Sequence, residues 1–325
     1  MNYNIKSDLL LIRELFQLTQ EELANKLQVE PLRIARIELG KSYPREEFID
    51  KFYNFCFKSK LNLNKQKEMF YKEEMKENHI LLTHASKYGI EGALSLDKSK
   101  DNNDFGKGFY CGNSYDNSVS FVCKFPSASI YFIDFDFKGL IKKEFKVDTE
   151  WMMAIAYFRG KLENYKNHKI IKNIINSLKA VDYIIAPTAD NRMFEIIDTF
   201  INGEITDEQC KHCLAATNLG MQYIFISNKS LEHIHILEKC FISSVEKEHY
   251  QKEQINYLIT GNNKTKLARI QYKGQGKYLE EILIWKKWIK MVYYYAKCKQ
   301  IYLLCLYNIQ NLVQKYLFVD LWIRI

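Results

Sequence analysis

The sequence predicts an α+β fold in three parts: an all-α N-terminal domain, a strand-bearing centre and a helical C-terminal tail. Three observations predict it. A capped helical pattern with a glycine stop runs through the first 60 residues, and strand-like apolar runs divided by glycine-rich and polar turns follow. Further on the composition turns basic and aromatic. A chain of 325 residues with 47% hydrophobic content is long enough for two or three domains, each with a core. The expected boundaries are a helical domain over 1–60, a linker over 61–78, a central domain over 79–245 and an extension over 246–325.

In the first part, Thr19-Gln20-Glu21-Glu22-Leu23-Ala24-Asn25-Lys26-Leu27 reads as a helix capped by Thr19, with Glu22 at the capping-box position. Glu30 to Leu39 reads as the next helix, ended by Gly40, with Pro44 beyond it. From Leu10 to about Cys56 this pattern resembles the Cro/repressor-type helix-turn-helix family. The resemblance makes Glu30–Leu39 the recognition helix and implies that Arg33 and Arg36 reach a DNA groove. Charge argues the other way. Residues 8 to 57 hold 7 Lys or Arg against 9 Asp or Glu, whereas phosphate neutralisation normally dominates DNA affinity. Operator DNA and a partner protein therefore both stand as expectations. Lys58 to Asn78 is rich in Lys, Glu and Asn, and reads as a helix end plus a linker that lets the flanking domains move.

Three segments carry chemistry in the centre: Leu81-Leu82-Thr83-His84-Ala85-Ser86, Asp104-Phe105-Gly106-Lys107-Gly108-Phe109-Tyr110, and Gly220-Met221-Gln222-Tyr223-Ile224-Phe225-Ile226. Each has an ordinary reading. A lone histidine in an apolar run is commonly a satisfied core residue, Gly-Lys-Gly is a common turn, and a strand glutamine commonly faces solvent. Their order, a strand, a glycine-rich turn into a strand, then a late strand, resembles the His-Tyr-Glu signature of poly- and mono-ADP-ribosyltransferases. The likeness covers roughly residues 79 to 245 and is greatest to a bacterial family of unknown function in that clan. Such chains are often fused to a helix-turn-helix, occur in toxin–antitoxin-like gene pairs, and usually carry glutamine at the glutamate position.

The resemblance implies a split β-sheet domain that binds NAD+ as substrate, with no metal. It implies that His84 hydrogen-bonds a ribose, that Tyr110 stacks on nicotinamide, and that Phe121 forms the second aromatic wall. Gln222 stands where the family's glutamate is expected, Ala85 stands where a glycine backbone holds the carboxamide, and Gly108 belongs to the binding turn. An amide can orient the ribose 2′-OH, but it lacks the charge that a carboxylate offers a developing oxocarbenium ion. Arg159 is expected to meet a pyrophosphate oxygen, against the ordinary reading of a solvated helix-end arginine. Asp190, at the end of the strand-like Val181–Pro187 run, is either an additional acid or the cap of a following helix, the latter being favoured. The function so implied is an NAD-dependent ADP-ribosyltransferase, the toxin of a toxin–antitoxin or phage-defence system, with a small antitoxin as a partner and an ADP-ribose acceptor that the sequence does not identify. The alternative is a helix-turn-helix transcriptional regulator whose transferase-like domain binds a nucleotide without turning it over.

Met1 to Lys6 lacks a charged-then-apolar leader, and eight scattered cysteines suit reduced thiols, so a cytoplasmic location is expected. Cys210-Lys211-His212-Cys213, with His233, His235 and Cys240, has the spacing of a weak zinc motif. The start Thr206-Asp207-Glu208-Gln209 instead puts both early cysteines on a helix, as buried thiols. Residues 251 to 325 hold 13 Lys or Arg against 4 Asp or Glu, so the pI of 8.8 is a property of the tail. Tyr272–Tyr278 is a glycine-rich basic loop before a short helix. Beyond Ile284, where Trp285, Trp288 and Trp322 fall, a membrane-surface segment, a partner helix and a sequence out of its ancestral frame compete, the last two being favoured. No apolar run there reaches the ~18 residues of a membrane span.

Overall fold

A computed structural model describes residues 1–216, 220–283 and Lys297. The architecture is α+β, with helices first, a seven-stranded mixed sheet in the middle and a long helix last. The readings made of residues beyond 284 fall outside the described residues.

Helices α1 (Ile5–Leu15), α2 (Gln20–Leu27), α3 (Pro31–Glu38) and α4 (Glu46–Lys58) form the N-terminal unit, and local chemistry sets their ends. Thr19 caps α2 by accepting from the Glu22 N–H, while the Glu22 carboxylate accepts from the Thr19 N–H, which is the predicted reciprocal box. α3 ends where Gly40 takes φ +71°, so that the N–H groups of Gly40 and Lys41 reach back to the carbonyls of Ile37 and Arg36. Buried Glu38 then ties three helices together. It accepts from Arg13 of α1 at 3.0 and 2.7 Å and from Gln20 of α2 at 2.7 Å.

The linker expected over 61–78 is largely a helix, α5 (Leu63–Glu73), capped by Asn62. Its Lys67 is buried between two carboxylates, Asp8 of α1 at 2.5 Å and Glu238 of the last strand at 2.7 Å. Tyr53 of α4 donates to Asp8, and Tyr71 of α5 donates to Glu238. Burial alone would lower the Lys67 pKa, but the flanking carboxylates more than offset it and hold the ammonium charged. Lys, Glu and Asn suggest a solvated connector by composition, yet Asn64, Lys67 and Glu68 are buried against partners from other elements, among them Tyr115, the Phe241 carbonyl, Asp8 and Glu238.

The strands are β1 (His79–Ser86), β2 (Phe109–Gly112), β3 (Ser129–Asp136), β4 (Lys142–Glu144), β5 (Tyr183–Pro187), β6 (Met221–Phe225) and β7 (Ile234–Phe241), in the order β4-β5-β6-β2-β1-β3-β7. Only β4 and β5 run parallel among these pairs. Strand alternation divides the side chains between two faces. On one face, α6 (Tyr115–Val122) covers β1 and β3, and the core of α7 (Thr149–Phe158), α8 (Lys169–Leu178), α9 (Asn191–Ile201) and α10 (Asp207–Ala215) covers β5 and β6. On the other, Leu82, Phe109, Tyr131, Phe135 and Phe225 form a separate cluster beneath loop residues such as Ile90 and Leu94. β1 and β2 meet at a single register pair, Thr83 with Gly112, so the sheet is weakly joined at its middle.

After α11 (Asn228–Glu232) and β7, helix α12 (Ser244–Gln271) packs against α4, α6 and α10. The glycine-rich loop that follows closes on the start of α10, where the Lys277 N–H donates to Asp207 and the Asp207 N–H donates back to the Lys277 carbonyl. No described helix is long and apolar enough to cross a membrane.

Candidate functional site

The glycine-rich segment folds onto β6. Gly106 takes φ +75°, and a Cβ on Gly108 would stand 2.8 Å from Ile224 and 2.9 Å from the Phe225 carbonyl oxygen. The first glycine turns the chain, and the second lets two backbones approach. Tyr110 locks the turn that precedes it. Its hydroxyl donates to the Gly106 carbonyl at 2.8 Å and accepts from the Phe105 N–H at 3.1 Å, while Phe105 is buried against Phe145 and Phe158. Burial pushes the Tyr110 phenol well above its ordinary pKa, so it acts as a neutral hydrogen-bonding group.

Gly112 of β2 pairs with Thr83 of β1 on one side and Gln222 of β6 on the other. This places the three segments on adjacent strands. Tyr110 and Gln222 share one face of the sheet, and His84 projects from the opposite face. His84 nevertheless reaches β2, because its Nδ1 donates to the Tyr110 carbonyl at 2.8 Å and its ring stacks on Phe109 at 4.3 Å. A carbonyl can only accept, which fixes the proton on Nδ1 and leaves Nε2 as an acceptor. Burial lowers the imidazole pKa against the opposing pull of that carbonyl, so the ring is neutral at pH 7.

Gln222 is 7% exposed and sits in a polar network of which its neighbours in the chain carry no sign. Its Nε2 donates to Asp104 Oδ2 at 2.9 Å and to the Pro187 carbonyl at 3.1 Å. Asp104, 6% exposed, also accepts from Arg159 at 2.9 and 2.5 Å and from the Ala189 N–H at 3.2 Å. Arg159 therefore departs from its ordinary reading. Its Nε and Nη2 are engaged by Asp104 and the Ala189 carbonyl, and its guanidinium lies 4.3 Å over the Phe194 ring, so it is an internal ion-pair partner and not a solvated helix-end arginine. The clue available in sequence was only that Asp104 opens the glycine-rich segment; its partners stand 55, 85 and 118 positions away.

Ala85 lies in β1 and packs into the cluster under α6. Phe121 is on α6, 60% exposed, with no ring partner among the described residues. Asp190 caps α9 by accepting from the Met193 N–H at 2.8 Å, the favoured of its two readings. Cys210 and Cys213 are fully buried in α10, with their thiols directed to the carbonyls of Ile196 and Thr265 and their pKa values raised by burial. Arg33 and Arg36 are exposed on α3, the former with its guanidinium 4.8 Å over Phe48.

Residues 80–236 match the model of the family DUF3990, described as a protein of unknown function. The match begins in β1 and ends in β7, so the DUF3990-like region takes in every strand wholly or in part and all three signature segments. It leaves out the N-terminal helices and α12. No curated protein and no solved structure matches the chain.

Proposed function

We propose that the DUF3990-like region is an NAD-dependent ADP-ribosyltransferase. The observation that carries the reading is the junction at Gly112, where strands bearing His84, Tyr110 and Gln222 come together although the residues span more than half the sheet's sequence. A dinucleotide crossing the weakly joined β1–β2 boundary meets a hydrogen-bond acceptor, His84 Nε2, on one side and the Tyr110 ring and Gln222 amide on the other. NAD+ carries a cationic leaving group, so its nicotinamide–ribose bond needs positioning more than acid catalysis. Tyr110, with Phe121 as the second wall, would hold the nicotinamide, the backbone at Ala85 and Gly108 would frame it, and Gln222 would orient the ribose 2′-OH.

In this reading the N-terminal unit is a helix-turn-helix that presents Arg33 and Arg36 to operator DNA or to a small antitoxin, and the whole is a cytoplasmic toxin. A second reading, a regulator that binds the nucleotide without cleaving it, draws on one observation, the amide in place of a carboxylate at position 222. Incubation of the full chain with labelled NAD+ separates the two. Label transfer and nicotinamide release are expected from the wild type, with a loss of about a hundredfold or more in His84→Ala and Tyr110→Ala. Binding without nicotinamide release by the wild type would leave the regulator.

A further inference from the structure

Asp104 is a buried charge, and its contacts assign it a role. We propose that Asp104 is a positioning residue: it turns the Gln222 amide so that the oxygen faces the ribose, and it carries at position 104 the negative charge that position 222 lacks. The inference rests on the transferase reading for its chemistry, though the pairing itself can be tested apart from it.

A primary amide has two N–H donors and one oxygen. Both donors of Gln222 go to groups that only accept, a carboxylate oxygen of Asp104 and the main-chain carbonyl of Pro187. The flipped amide would aim its oxygen at both, so the network dictates the orientation. Oε1 is then the one polar atom left, and it receives no hydrogen bond among the described residues. Asp104 is itself over-determined. One oxygen takes both Arg159 contacts, and the other takes Gln222 and the Ala189 N–H. A donor bound to an anion is polarised, which enriches the far oxygen of the same amide in negative charge. Gln222 Oε1 is thus a stronger acceptor than an isolated glutamine would present, without a net charge at that position.

The arrangement predicts a polarity rule for the pair. In Asp104→Asn, Arg159 keeps the asparagine oxygen on its own side, so the new NH2 faces Gln222. The glutamine must then flip and offer a donor to the ribose. In Gln222→Glu, two carboxylates face each other across a gap bridged in the wild type by a 2.9 Å hydrogen bond. The double variant restores a donor and an acceptor in the opposite sense.

Nicotinamide release should therefore fall about tenfold or more in kcat for Asp104→Asn, with KM changed less than about threefold, and fall similarly for Gln222→Glu. The Asp104→Asn/Gln222→Glu protein should exceed Gln222→Glu by about tenfold. Equal activity of the double and the Gln222→Glu proteins, or an Asp104→Asn protein as active as wild type, would overturn the proposal. Wild type that releases no nicotinamide sinks the transferase reading, and the pair is then judged by melting temperature alone. Recovery in the double variant of the melting temperature lost in Gln222→Glu supports the pairing, and additive losses overturn it.

Discussion

At the scale of single residues, the chain uses buried titratable groups whose neighbours decide what they do. Glu246, at the start of α12, is almost wholly buried, and burial pushes its carboxyl up to about 7. One of its oxygens accepts from Tyr115 at 2.9 Å and from Asn62 at 2.8 Å, and both bonds survive in an amide. A carboxyl whose pKa is raised on folding binds more protons folded than unfolded, so stability falls as pH rises from the ordinary glutamate range to about 7. Glu246→Gln is expected to flatten that slope and to stabilise the protein at pH 8 by roughly 1–3 kcal/mol, with little effect at pH 4.5. Melting curves of the two proteins at both pH values measure it. Residue roles were readable from sequence where the partner is near in the chain: Thr19 with Glu22, Thr206 with Gln209, Asp190 with Met193. Asp104 and Arg159 were not, because nothing in the spacing of two residues 55 apart says that they form an ion pair.

At the scale of elements, the glycine-rich segment and α5 show the two ways that composition meets structure. Gly108 reads as part of a turn, but its requirement comes from another strand, since backbone and Ile224 of β6 fill the space a side chain would need. Gly108→Ala should destabilise the protein by about 2–4 kcal/mol, because the near atoms include a main-chain oxygen that cannot rotate away. Denaturant titration of Gly108→Ala beside Gly139→Ala tests the cause. A Cβ on Gly139 meets nothing, but φ there is +72°, so its loss should reflect only the cost of left-handed backbone, about 1 kcal/mol. α5 shows the converse. Its buried Asn64, Lys67 and Glu68 are the residue types that mark a solvated connector, and only the fold supplies their partners. The strands were legible as strands, whereas their order, which brings β6 beside β2 and β2 beside β1, depends on pairings that the sequence does not encode locally.

At the scale of the whole molecule, a buried polar network helps to hold the helical unit to the sheet. Asp8, Lys67 and Glu238 come from α1, α5 and β7, and the central ammonium has no substitute. Lys67→Met leaves two buried carboxylates with only their tyrosine hydrogen bonds and no counter-ion between them, and should cost about 3–5 kcal/mol. The same change should loosen the helical unit from the sheet, seen as faster limited proteolysis around residues 58–62 and a second transition in the melting curve. A single sharp transition with unchanged proteolysis would show that the apolar contacts alone hold the two together. The family match at 80–236 stops short of Glu238 and of Phe241. Phe241 ends the last strand, yet its ring lies 5.2 Å from Tyr3 and 5.6 Å from Tyr53, inside the core of the first four helices. The helical unit is not a bead that recombination could move by joining ends; a transplant that keeps its core would have to carry the end of β7 with it, and the two halves must change together.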